Sequence, residues 1–137
     1  MARWAGAVAC AALLASQAHA LTPQTHWQLL CMGCHHPDGA GEPGRVPSLR
    51  DTLVPFGSME DGRRFMIRVP GVAQSTLKDD EVAELLNWMV RYLSSTPAPA
   101  DFRPFTTAEV TAARSAPLAA VKQERARLLR SLAAHSP

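Results

Sequence analysis

Val82, Leu85, Leu86, Met89, Val90 and Leu93 recur at the i, i+3, i+4, i+7 spacing of one α-helical face, without a break. The polar positions agree: Asp79, Asp80 and Glu81 crowd the first turn and Arg91 the last, which complements the helix dipole, and Thr76 stands ahead as a candidate cap. Trp88 and Tyr92, four apart, share a face of the same helix. Nearer the N-terminus, Thr22-Pro23 predicts a helix start, since Thr caps free amides and Pro is tolerated at the first helical position. This helix is expected to run as far as Cys31, with Trp27 and Leu30 on its packing face and His26 exposed. A shorter helix is read over Met59 to Arg68, broken by Val69-Pro70-Gly71.

Beyond Leu93 the pattern changes. Ser94 to Ala100 is a Pro-rich linker, extended and semi-rigid. Thr106-x-x-Glu109 has the form of a capping box, and Pro117 suits the first turn of a last helix. Leu118, Val121, Leu128 and Leu132 there approximate one apolar face, which Arg125 interrupts, while Lys122, Arg127 and Arg130 lie around the rest. Two readings of this tail stay open: it packs back on the domain or is solvated, or it docks a partner. If it only packs or dangles, a chain ending near Ala98 is expected to keep its function.

Met1 to Ala20 is a different kind of segment. Arg3 gives a positive start, Trp4 to Leu14 an apolar run, and Ala18-His19-Ala20 an A-x-A cleavage form, together a secretory signal peptide. The run is shorter than the roughly 20 residues of a membrane-crossing helix, so no permanent span is expected after cleavage. Without Arg3 the basic residues number 13 against 12 acidic, a balance that argues against nucleic-acid binding. Hydrophobic content of 47% with 19% charged residues suits an ordinary globular domain. Cys10 leaves with the leader, so Cys31 and Cys34 are the only thiols of the mature chain.

Those two thiols belong to Cys31-Met32-Gly33-Cys34-His35, and C-x-x-C-H is the sequence at which haem is attached covalently. Thiols three apart on one helical turn can each bond a haem vinyl group, and the following imidazole then lies below the iron. A thioredoxin-like pair would need a βαβ context and a zinc site a further Cys or His pair, and neither pattern is present. The motif therefore predicts thioethers at Cys31 and Cys34 and His35 as proximal iron ligand. His36 follows directly and cannot share that face.

From Pro37 to Arg50 the composition is that of a loop. With the haem motif, Asp38-Gly39-x-Gly41 and Val46-Pro47-x-Leu49 resemble a class I c-type cytochrome of the small bacterial mono-haem kind, and Leu77-Lys78-Asp79-Asp80-Glu81-Val82 is similar to the family's entry to its last helix, with Lys78 replacing the usual Ser or Thr. The resemblance covers about Thr22 to Leu93. It implies an all-α haem domain of about three main helices, here over residues 21–96, followed by a linker and helical extension over 97–137. It also implies one covalent haem c per chain, and a Pro47 carbonyl that orients His35, the device that aligns metal-bound histidines generally.

The same resemblance implies one-electron transfer in the periplasm, from a dehydrogenase to an oxidase or another cytochrome, and no enzyme activity of its own. One departure stands out. The family draws its sixth iron ligand from a Met in the loop before the final helix, and Pro70 to Thr76 contains none. Met66 is the nearest candidate and Met59 the next, while Met32 lies between the cysteines and Met89 fits the core. An open sixth position would make the protein a small-ligand sensor or weak peroxidase, with Arg63, Arg64 or Arg68 as distal arginine. A haem subunit of a larger dehydrogenase is the other alternative.

Overall fold

The computed structural model describes residues 21–135, so the expected signal peptide lies outside the described residues. Among the described residues eight helices follow one another: α1 (Pro23–Leu30), α2 (Met32–His35), α3 (Leu53–Gly57), α4 (Glu60–Arg68), α5 (Pro70–Ala73), α6 (Asp79–Tyr92), α7 (Thr107–Arg114) and α8 (Val121–His135). No strand occurs among the described residues, and the all-α expectation holds.

The core is built on the α6 stripe. Val82, Leu85, Leu86, Met89 and Val90 are all buried, together with Trp27 of α1, Leu53, Val54 and Phe56 of α3, and Phe65, Met66 and Ile67 of α4. Each such side chain contributes roughly 1.5–3 kcal/mol on leaving water. Helices α1 and α6 cross through aromatic rings: Trp27 and Trp88 lie 6.3 Å apart, and Tyr92 lies tilted against Trp88 at 5.5 Å.

Several local expectations change. The first helix stops at Leu30, because Cys31 adopts φ −122°, ψ −39°, and the chain restarts as α2. Trp27 is buried as read, but Leu30 is 48% exposed, since the break turns it away from α6. His26 is the reverse case, buried at 5% exposure. The N-cap of α6 is Lys78, not Thr76; the Glu81 carboxylate accepts from the Lys78 backbone N–H at 2.7 Å, and the Glu81 N–H, which a capping Ser would have taken, donates to the Asp80 carboxylate at 3.0 Å. Thr106 caps α7 by accepting from the Glu109 N–H, and the Glu109 carboxylate, held chiefly by Arg63, also lies close enough to the Thr106 backbone N–H to be stabilised by it, as a capping box predicts. Pro117 lies before α8, which starts at Val121.

The tail packs on the core. Phe105, Val110 and Leu128 are buried, and Phe102, Leu118, Val121 and Leu132 lean on the same cluster. Arg63, 2% exposed, donates to both Glu109 oxygens at 2.6 Å and to the carbonyls of Gly57, Arg103 and Pro104. Arg114 of α7 donates to Ala73 and Leu77 carbonyls and to Asp79, and Arg127 of α8 reaches Asp61 of α4 at 2.9 Å.

Acid should loosen this docking. The Arg127 and Arg64 hydrogen bonds hold Asp61 below the usual carboxylate range, Thr111 and Arg114 do so for Asp79, and Arg127 for Glu124. At Glu109 burial pushes the carboxyl up, and Arg63 pulls it lower still. A depressed carboxyl stabilises the docked state above the unfolded value, about 4, and the contribution is lost as pH falls through the lower folded values. Most of it comes from Glu109, since the exposed pairs are screened. Amide exchange in α7 and α8, corrected for intrinsic rates, should therefore accelerate relative to α6 between pH 5 and pH 3; equal acceleration in all three would contradict this.

Candidate functional site

Trp27 anchors the site from below. Its indole N–H donates to the Pro37 carbonyl at 3.2 Å, and its ring lies 6.3 Å from that of His35. Directly after His35 the chain reverses: His36 adopts φ 63°, ψ 161°, a conformation that favours glycine. The Gly41 N–H donates back to the His35 carbonyl at 3.0 Å, and the Gly39 carbonyl accepts from the Leu49 N–H at 2.9 Å. Glu42 and Val46 exchange both backbone hydrogen bonds at 2.8 Å and close the loop between them. Asp38 fastens it from outside, accepting from the Ala40 N–H and pairing with Arg50 at 2.9 Å.

Gly41 is the position this closure depends on. Its φ is +70°, and a Cβ there would stand 2.5 Å from the Val46 carbonyl oxygen and 2.7 Å from that of Pro47. The missing side chain lets the loop fold so tightly that the Pro47 carbonyl comes beside the His35 ring. Nδ1 of His35 is buried and has no partner of full hydrogen-bond geometry, yet the Pro47 carbonyl is close enough to favour the protonated ring. Burial wins over it, and the His35 pKa lies below the ordinary value, so the ring is neutral at neutral pH.

The thiols are free, Cys34 exposed and Cys31 half-buried. Burial pushes the Cys31 thiol up to about 11, with the neighbouring Cys34 adding to it. That is opposite to the lowered pKa of a redox-active C-x-x-C cysteine, so Cys31 is a protonated thiol at neutral pH. No cluster of three or more His, Cys, Asp or Glu residues suited to a bare metal ion occurs among the described residues. The donor set instead fits haem: two unpaired thiols on one turn, and an imidazole whose Nδ1 edge is turned into the protein, leaving Nε2 on the opposite edge.

Met66 is in the buried core of α4, and Met59 is the N-cap of that helix, half-buried. The three arginines considered for a distal role are engaged elsewhere: Arg63 with Glu109, Arg64 with Asp61, and Arg68 with the Ala116 carbonyl at 2.6 Å. Sequence reasoning missed Trp27 and Gly41 as builders of the site. The pair Gly39-x-Gly41 was the visible signal for the second, but the close approach that explains it depends on where Val46 and Pro47 return.

The helices and the C-x-x-C-H turn together define a cytochrome c-like protein. No family model matches the chain. It is 31% identical over 103 residues to cytochrome c-552 of Thermus thermophilus, covering 62% of this chain and 79% of the relative. A second cytochrome c-552 of that organism is 31% identical over the same length, with 70% of it covered. The chain belongs to the c-type cytochromes, whose cofactor is haem c and whose work is electron transfer. No helix among the described residues is long and apolar enough to cross a membrane.

Proposed function

We propose that Cys31 and Cys34 hold one haem c per chain through thioethers, that His35 is the proximal iron ligand, and that the protein passes single electrons in the periplasm from a dehydrogenase to an oxidase or another cytochrome. Bound haem supplies the one-electron couple. The chain sets its potential, exposure and partners. The observation that carries this reading is the tight loop at Gly41, which holds the Pro47 carbonyl beside His35 with Nδ1 turned inward. In that arrangement Pro47 fixes the ring, and the neutral imidazole keeps a lone pair for iron.

For the sixth ligand Met66 is proposed, with Met59 as fallback. α4 carries Met66, and α8 touches both α4 and the loop of Pro47. The sensor or peroxidase alternative is disfavoured by the engagement of Arg63, Arg64 and Arg68.

The test is spectroscopic. The purified holoprotein should keep a c-type α-band after acid-acetone extraction, while Cys31→Ser with Cys34→Ser should leave no covalent haem; covalent haem in that double variant would refute the attachment. The oxidised parent should show the weak sulfur-to-iron band. Met66→Leu should abolish it and lower the potential, while the similar side-chain volume keeps the core of α4 filled. A band unchanged in Met66→Leu passes the role to Met59.

A further inference from the structure

An open cavity of about 430 Å³ lies between the loop of Pro47 and α8. Val46, Pro47, Ala126 and Leu129 give it apolar walls, and Lys122 and Arg125 face it from α8. None of the described lining residues is acidic. Arg45, also at its rim, is paired with Glu42 inside its own loop. Among the described residues Lys122 and Arg125 make no ion pair, whereas Arg127 of the same helix is bound to Asp61 and Glu124. Arg125 is the residue that interrupts the apolar stripe of α8, and it does so on the side of this cavity.

An apolar wall closed by two free cations suits a flat apolar molecule with carboxylates on one edge. Haem is such a molecule. Its vinyl groups and its propionates sit on opposite edges of the ring, so an attachment at Cys31 and Cys34 sends the propionates to the far side. The cavity includes Pro47, the residue beside His35, and includes neither cysteine. We propose that Lys122 and Arg125 of α8 are the anchors of the haem propionates, so that the C-terminal helix is part of the haem site. This rests on haem attachment at Cys31 and Cys34. It assigns the tail a role in setting the potential, because cations at the propionates offset negative charge that would otherwise favour ferric iron.

The experiment uses the holoprotein with Lys122→Gln plus Arg125→Gln, and Arg130→Gln as a control that removes one charge from an exposed position of the same helix. Resonance Raman should show the propionate bending mode displaced in the double variant and unmoved in the control. At a fixed poise the reduced-to-oxidised ratio should fall on the order of tenfold, about 59 mV for a one-electron couple. Arg125→Lys should retain most of the parent behaviour. A propionate mode unchanged in the double variant, with a midpoint equal to the control's, overturns the proposal. So does a parent whose midpoint responds to millimolar phosphate while its propionate mode ignores both substitutions, since the cations then serve a dissolved anion. A parent lacking covalent haem overturns the attachment reading first, and its α-band reports that before any variant is made.

Discussion

Ending the chain at Ala98 is expected to destabilise the protein by about 3–5 kcal/mol, and to leave a chain that loses haem-loaded yield at 37 °C. Phe105, Val110 and Leu128 are buried at 3%, 0% and 0% exposure, and burial of such side chains contributes roughly 1.5–3 kcal/mol each. Their removal also uncovers apolar surface of α4 and α6. Ordering the tail costs conformational entropy, which offsets a large part of this gain, so the net effect is smaller than the sum. Against a typical stability of about 5–15 kcal/mol the remainder is still large. Denaturant unfolding of the shortened and full chains measures it. A shortened chain within about 1 kcal/mol of the parent would mean that the tail only rests on the core. The reading from sequence, in which the core helices suffice without the tail, is replaced by this expectation.

Arg63→Met should cost about 3 kcal/mol or more, the usual penalty for removing one partner of a buried ion pair. Here the loss is not confined to charge. Arg63 satisfies the Gly57, Arg103 and Pro104 carbonyls as well as Glu109, and its guanidinium lies 4.0 Å from the centre of the Phe105 ring. Five donors in a planar fork make that set of bonds, and an ammonium cannot reproduce it. Arg63→Lys should therefore recover little, staying within about 1 kcal/mol of Arg63→Met. Glu109→Gln, which keeps a hydrogen-bond acceptor and is nearer the surface, should cost less than either. Chemical denaturation of the three variants decides the matter: a fully restored Arg63→Lys would show that charge alone mattered.

How much of the protein is legible from its sequence depends on the range over which each feature acts. The α6 helix was readable from Val82 to Leu93 because a 3.6-residue period is a local property, as were the helix over Met59 to Arg68 and the Thr106 cap. His26 and Leu30 were misjudged for the opposite reason. Their exposure depends on the break at Cys31 and on which way α6 crosses α1, and neither is written in the spacing of α1 itself. The capping box at Thr106 was readable because it is local, whereas the main partner of its Glu109 is Arg63, 46 residues away, an interaction with no local signature.

For the site the division is the same. The proposed haem attachment is carried by five consecutive residues, since C-x-x-C-H needs only one helical turn to present two thiols and an imidazole. That the Pro47 carbonyl stands beside His35 was implied only by resemblance. The physical cause, a Gly41 too close to two carbonyl oxygens to carry a side chain, appears only when the loop is closed. By itself, then, the sequence determined the helical class, the strongest helix and the C-x-x-C-H motif on which the proposed haem attachment rests, because periodicity and short spacing survive without a fold. Tertiary structure alone decided that the tail belongs to the core, that Arg63 is its buried clasp, and that Lys122 and Arg125 face the same cavity as Pro47. Those facts depend on residues dozens of positions apart meeting in space, and only the packing of α7 and α8 against α4 and α6 brings them together.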